Sequence, residues 1–168
     1  MKIFDLFLLL FMLAVLFNAS CQIYAPTYIE ADDSLRTLAL STARAYVGVP
    51  YVWGGQIIQS GVDCSGLVIE AYRIALEETC LGKLPYRDTT AYELYNKYST
   101  EIPIPEIGDL LFMGEEGVVS HVALCVEMSD TDITFIDAYS VTGIVGIRKY
   151  EVTNPKFIAY GRIIYRGF

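Results

Sequence analysis

Between a glycine-rich segment and an amphipathic one stands the run Val62-Asp63-Cys64-Ser65-Gly66-Leu67-Val68. From Cys64 onward, apolar residues recur at positions 67, 68, 71, 72 and 75, which is the spacing of one buried helix face. Asp63 is a suitable N-cap residue, because its carboxylate can accept a hydrogen bond from the first helical turn. The run therefore predicts a helix with Cys64 at its N-terminus, where the helix dipole favours a thiolate.

The rest of the chain divides into predicted helices first and predicted strands afterwards. One helix is predicted over 32–46, capped by Asp32 or Asp33, and another over 88–98, with Asp88 and Thr89 as candidate caps. Alternating apolar residues predict strands at 109–113, 119–128, 133–139, 144–152 and 157–166. Because the connections between the strands are short, this order predicts an α+β domain whose N-terminal helices pack on a C-terminal antiparallel sheet of about five to six strands.

Length and charge limit the possible classes of protein. The chain has 168 residues, which is enough for one domain with its own core and too few for two of ordinary size. Its formal net charge is -8, and its Lys and Arg residues form no cluster. Nucleic-acid binding needs clustered positive charge to neutralise phosphates, so no nucleic-acid partner is expected.

The N-terminus is typical of an exported protein. An apolar run at 6–17 follows Lys2 and leads to Ala19-Ser20-Cys21. This layout predicts a signal peptide over 1–20, since a membrane-spanning helix needs about 20 apolar residues. The small residues before Cys21 resemble a bacterial lipobox, which would make Cys21 a lipidated mature N-terminus, followed by a linker over 22–31 and a domain over 32–168. The alternative is an ordinary signal peptide cut near Ala19.

Three further cysteines, Cys64, Cys80 and Cys125, follow Cys21. Their odd number leaves at least one thiol unpaired, and Cys64 is the candidate for the free one. Cys80 and Cys125 have apolar neighbours and are expected to be small buried hydrophobic residues; a disulfide between them is the alternative.

His121 is the single histidine of the chain, so a mechanism that needs an imidazole has one candidate. On its predicted strand it shares a face with Ala123, and on the next strand Asp137 shares a face with Phe135. If these strands pair, His121 and Asp137 lie side by side on the helix-facing surface, within reach of Cys64. The three residues then form a candidate triad; taken one at a time, each is as readily explained as a structural residue.

Together, several local sequences resemble the NlpC-type family of papain-like cysteine peptidases, which act on peptidoglycan. The order and spacing agree from about Asp33 to Arg162. The matching pieces are Pro50-Tyr51-Val52-Trp53-Gly54-Gly55, Val62-Asp63-Cys64-Ser65-Gly66-Leu67-Val68, Leu84-Pro85, Arg87-Asp88-Thr89, Gly108-Asp109-Leu110-Leu111-Phe112 and Val119-Ser120-His121-Val122.

The resemblance implies a papain-like fold and a role for each matched residue. Cys64 would be the nucleophile, His121 the base and Asp137 the residue that orients His121, although the family more often has His, Asn or Gln at that position. Residues implied to contact substrate are Tyr51, Asp63, Ser65, Asp88 and Thr89. For Asp63 and Asp88, helix capping explains the residue equally well. Trp53 is expected to pack in the interior.

The resemblance also implies a reaction. It is hydrolysis of the peptidoglycan peptide stem, at the bond between γ-D-glutamate and the following diamino acid, without metal or organic cofactor. The expected partners are stem peptides or wall fragments, together with a membrane that holds the lipid on Cys21 and faces the periplasm or the cell exterior. Alternatives are an amidase or acyltransferase that uses a thioester on the same scaffold, and a catalytically silent module that binds wall peptides.

Overall fold

A computed structural model describes residues 27–168, so the predicted signal peptide, Cys21 and the first half of the linker, residues 22–26, lie outside the described residues. In this part of the chain the helices are α1 (Asp33–Arg44), α2 (Cys64–Thr79) and α3 (Ala91–Lys97). The strands are β1 (Tyr28–Glu30), β2 (Gln56–Ile57), β3 (Gly61–Val62), β4 (Gly82–Lys83), β5 (Ser99–Ile102), β6 (Leu110–Glu115), β7 (Val118–Met128), β8 (Asp132–Tyr139), β9 (Ile144–Glu151) and β10 (Phe157–Gly167). None of these helices is long and apolar enough to cross a membrane.

Side-chain caps fix where the helices begin. Asp32 accepts a hydrogen bond from the backbone N–H of Leu35 at 2.8 Å and starts α1, as expected. The cap of α3 is instead Thr90, whose hydroxyl accepts from the N–H of Glu93 at 3.2 Å. The predicted caps Asp88 and Thr89 are wrong by one or two residues, because α3 begins at Ala91 and Thr90 is the residue that precedes it.

The large sheet is antiparallel and has eight strands among the described residues, in the order β1-β10-β6-β7-β8-β9, with β4 and β5 also paired to β10. The predicted α+β class, with helices on an antiparallel sheet, is confirmed. The additional strands β1, β4 and β5 have three, two and four residues. Segments of that length are too short for an alternating pattern to show in the sequence.

Two clusters of buried side chains lie on opposite faces of this sheet. The larger one joins the helices to alternate sheet residues such as Val122, Ile136 and Ala138. The smaller one contains side chains from the strand positions that alternate with these. They include Leu111, Met113, Ala123, Cys125 and Phe135. His121 and Asp137 alternate with the helix-facing residues, so the predicted helix-facing placement is wrong, and they share the second face.

A buried network of charges joins α1 to the sheet. The carboxylate of Asp109 is fully buried and accepts hydrogen bonds from Arg162 at 2.9 and 2.8 Å. Arg36, also buried, lies 3.5 Å from Asp109 and donates to Glu106 at 2.6 Å. The Gly-Asp-Leu sequence at 108–110 therefore has a structural role, because Asp109 is where two cations from different elements meet.

Replacing Asp109 by alanine is expected to lower the free energy of unfolding by about 3–5 kcal/mol, because it removes the buried carboxylate that Arg162 and Arg36 share. Urea unfolding followed by circular dichroism measures this loss. Glu77→Ala is the matched control, since Glu77 pairs with Arg73 on the surface and its loss should cost about 0.5 kcal/mol or less. Equal effects of the two substitutions would contradict a structural role for the network.

Candidate active site

Asp63 holds the turn that presents Cys64. One carboxylate oxygen accepts from the N–H of Gly66 at 2.7 Å and from the hydroxyl of Ser65 at 2.9 Å, and the other accepts from the N–H of Gly54 at 2.9 Å. A side chain at Gly66 would place its Cβ 2.1 Å from the carbonyl oxygen of Gly55, so only glycine fits there. The glycine-rich loop and the start of α2 are thereby locked together around the Cys64 thiol.

Cys64 opens into a cavity of about 520 Å³. The cavity brings together both main candidate catalytic residues, Cys64 and His121, together with Tyr51, Asp63 and Ser65. Asp137 lies directly behind His121 and is 1% exposed. The remaining walls of the cavity are formed by Trp53, Thr90, Ala91, Met113, Gly114, Glu115, Val118, Ser120, Tyr139, Ser140, Arg148, Tyr150 and Lys156.

The ring of His121 is held by Asp137. Its Nε2 lies 2.5 Å from Oδ2 of Asp137, and the ring meets that of Tyr139 edge to face at 5.7 Å. With Nε2 engaged by the carboxylate, Nδ1 is the nitrogen that remains for Cys64. This arrangement fixes both the orientation and the proton position of the imidazole.

His121 is held in its charged form. Burial acts to lower its pKa, but the hydrogen bonds with Asp137 and Cys64 and the charges of both outweigh burial and raise the pKa from 6.5 to about 9. At neutral pH the ring is therefore an imidazolium. An imidazolium beside a cysteine at a helix N-terminus stabilises the thiolate, which is the nucleophilic form of sulfur.

Arg148, which the sequence analysis did not identify, lies behind this pair. Its Nε donates to Oδ1 of Asp137 at 3.0 Å and its Nη2 donates to Oδ2. Gly146 is the residue of β9 directly opposite Asp137, and Arg148 stands two positions further along. Arg148 and Asp137 are therefore diagonal neighbours across the two strands, within reach of the long Arg148 side chain. The sequence offered one signal for this residue: Arg148 is the single arginine of the predicted strand 144–152.

The residues implied to bind substrate divide into two groups. Tyr51 lies in the cavity wall, and burial, followed by the nearby Cys64 and Asp63, raises its pKa. Asp63 and Ser65 also reach the cavity, although their hydrogen bonds support the loop. Asp88 and Thr89 do not line it: the Thr89 hydroxyl is buried and donates to Glu93 at 2.9 Å. Their neighbours Thr90 and Ala91 form that part of the wall instead.

Two expectations about apolar side chains are wrong. Trp53 is 87% exposed at the cavity rim, because the glycine-rich loop that carries it projects from the surface. Cys80 is exposed at the C-cap of α2, where its φ of 53° is left-handed, whereas Cys125 is buried in the sheet as expected. Neither is bridged, so all three cysteines at 27–168 are free thiols. The same residues contain no cluster of His, Cys, Asp or Glu suited to a metal ion.

A cysteine at a helix N-terminus, facing a histidine and a carboxylate on an antiparallel sheet, defines a papain-like α+β protein. A model of the NlpC/P60 family matches residues 48–157. The chain belongs to the NlpC/P60 family.

Curated relatives and solved structures agree with this assignment. The probable endopeptidase YafL of Escherichia coli K12 is 39% identical over 82 residues, 47% of this chain and 30% of that protein. The murein DD-endopeptidase MepH of the same organism is 31% identical over 111 residues, 65% of this chain and 40% of that protein. This chain therefore spans less than half the length of either relative.

Two solved structures have the same fold. A protein from Staphylococcus aureus Mu50, described as similar to lipoprotein and of the NLP/P60 family, superposes with a TM-score of 0.59 at 26% identity, covering 90% of this chain and 48% of that one. The NlpC/p60 domain of the peptidoglycan hydrolase SagA gives a TM-score of 0.51 at 27% identity, covering 76% of this chain and 97% of that one.

Proposed function

We propose that this protein is a cysteine endopeptidase that hydrolyses the peptide stem of bacterial peptidoglycan, at the bond between γ-D-glutamate and the following diamino acid. The observation that carries the proposal is the placement of Cys64 and His121 in one cavity, with Asp137 hydrogen-bonded behind the imidazole. The peptidoglycan substrate is supported by relatives named as a murein endopeptidase and a peptidoglycan hydrolase. The choice of bond rests on the resemblance of the sequence motifs to the NlpC-type peptidases.

The chemistry follows from the charge states of the pair. The Cys64 thiolate attacks the scissile carbonyl carbon, and the imidazolium of His121 gives its proton to the departing amine. Water, deprotonated by the now neutral His121, then hydrolyses the thioester and releases the new carboxylate. Asp63 engages the N–H of Gly66, so the N–H groups of Cys64 and Ser65 are the first-turn donors assigned to the oxyanion.

The decisive experiment is to incubate the purified protein with stem peptides, sugar-bearing muropeptides and crosslinked dimers, and to identify the products by mass spectrometry. Crosslinked dimers are included because one relative is named a murein DD-endopeptidase. The proposal requires a new carboxyl terminus at γ-D-glutamate. In H₂¹⁸O that carboxylate should gain one heavy oxygen, which separates hydrolysis from acyl transfer to an added amine.

Other outcomes of the same assay point elsewhere. Cleavage between sugar and peptide would identify an amidase, and cleavage only in the crosslink would identify a different endopeptidase. Binding of muropeptides without any product would support a silent wall-binding module. In each case the proposed bond would be rejected.

We also propose that the protein is exported and held at a membrane by lipid on Cys21, ahead of a catalytic domain over 32–168. Several acyl chains retain a protein firmly, whereas one chain gives only marginal binding. The mature protein should then begin at Cys21 and carry the added mass of the lipid, measured on the intact protein. A Cys21→Ser variant with its signal removed should leave the membrane fraction. Its continued retention there, or an unmodified N-terminus near Ala19 in the parent protein, would exclude the anchor.

A further inference from the structure

Asp137 is shared between two cations rather than devoted to His121. Its side chain is 1% exposed, and Oδ2 contacts both the His121 ring and the Arg148 guanidinium. Oδ1 accepts a second hydrogen bond from Nε of Arg148 at 3.0 Å. The guanidinium therefore grips the carboxylate with two parallel hydrogen bonds, which is the arrangement that fixes a carboxylate in one plane.

Arg148 is itself immobilised. Its Nη1 donates to the hydroxyl of Tyr150 at 3.0 Å, and its guanidinium carbon lies 3.7 Å from the centre of the Tyr139 ring. The side chain is 17% exposed. The hydrogen-bonding groups of Arg148 face Asp137 and Tyr150, and one face of its guanidinium stacks on the Tyr139 ring. This arrangement suits a residue that supports its neighbour rather than one that binds a ligand.

The charge of Arg148 bears directly on the imidazole. Its Nη2 lies 3.4 Å from Nε2 of His121, so an imidazolium there stands beside a fixed positive charge. Asp137 and the Cys64 thiolate favour the imidazolium, and Arg148 opposes it. Around His121, the other titratable groups of the described cavity are Tyr51, Asp63, Tyr139 and Tyr150, with Glu115 and Lys156 as an oppositely charged couple further along the wall.

We propose that Arg148 is a positioning residue for the reaction: it holds the Asp137 carboxylate in the one orientation that presents Oδ2 to His121, and it limits how tightly Asp137 retains the His121 proton. Cys64, His121, Asp137 and Arg148 then act as a four-residue chain from the nucleophile to a partly buried cation. The inference rests on the proposed function only in taking His121 as the proton carrier.

The test uses the fact that His121 is the only histidine, so its NMR titration needs no assignment. In the full-length protein, Arg148→Met removes the charge and Arg148→Lys keeps it. Arg148→Met should raise the His121 pKa by about one unit, because the buried carboxylate is left with the imidazolium as its sole cation. Arg148→Lys should keep the pKa within a few tenths of the parent. An unchanged or lowered pKa in a folded Arg148→Met protein would overturn the proposal.

A second comparison covers the case in which Arg148→Met does not fold. Asp137→Asn leaves the Arg148 guanidinium beside His121 without its counter-ion, so this variant should lower the His121 pKa. Adding Arg148→Met to Asp137→Asn removes that guanidinium and should raise the His121 pKa again. Equal pKa values for the single and double variants would also overturn the proposal. Because the titration needs no substrate, a failed peptidase assay would reject the proposed function and leave this result standing.

Discussion

Replacing Cys64 by alanine is expected to lower kcat/KM for stem-peptide cleavage by about 10⁴-fold or more. The variant keeps the cavity, the oxyanion donors and the substrate contacts, but nothing in the cavity replaces the thiolate as nucleophile. Alanine also leaves the capping bonds of Asp63 untouched, because these go to Gly54, Ser65 and Gly66. The loss should therefore appear in kcat, with substrate binding by the inactive variant preserved and measurable by calorimetry.

Cys80 provides the matched control for this substitution. It is a free thiol at the C-cap of the same helix and more exposed than Cys64, and it lies at the end of α2 that is away from the cavity. Cys80→Ala should leave kcat/KM within about twofold of the parent, as expected for a surface change. If Cys64→Ala kept more than about one hundredth of the parent kcat/KM, Cys64 would not be the nucleophile. The same conclusion would follow if Cys80→Ala lost as much activity as Cys64→Ala.

Local rules explain why the placement of Cys64, His121 and Asp137 could be predicted from the sequence. The position of Cys64 follows from one capping residue and the apolar periodicity after it. The proximity of His121 and Asp137 follows from two strands joined by a short turn, since alternation then decides which side chains are neighbours. The face they occupy could not be predicted in this way. It depends on which side of the sheet the helices cover, which is decided by packing between distant segments.

Arg148 and Trp53 show the limit of the same reasoning. Arg148 reaches Asp137 through the β8–β9 register, which cannot be read from one strand alone. Trp53 is apolar, and composition favours an interior position for it, but the backbone of its glycine-rich loop places the ring outside. The short strands β1, β4 and β5 were missed for a related reason, because pairing with the long β10 defines them rather than any pattern of their own.

Replacing His121 by glutamine is expected to lower kcat/KM by about 10³–10⁴-fold, because the amide N–H can donate a hydrogen bond to Asp137 but cannot transfer a proton. The same change removes the cation that stabilises the thiolate, so alkylation of Cys64 by iodoacetamide at neutral pH should slow as well. The alkylation is measured in a Cys80→Ala background, which removes the exposed thiol found among residues 27–168. A Cys64 alkylation rate equal in the presence and absence of His121 would show that the two residues do not form an ion pair.

The pH dependence follows from the same pair. Because the His121 pKa is raised to about 9, kcat/KM should stay high through neutral pH and fall as the imidazolium loses its proton near pH 9. The pKa of His121 in the folded protein lies above its value of about 6.5 in the unfolded chain. The folding stability that the protonated ring contributes is therefore fully present below pH 6.5 and is lost as pH rises through 9. Urea unfolding at pH 6.5 and pH 9.5 should therefore show a drop in stability that His121→Gln removes. An alkaline limb near pH 6.5 would mean that Asp137 and Cys64 do not hold the proton on His121, and it would leave the charged pair without support.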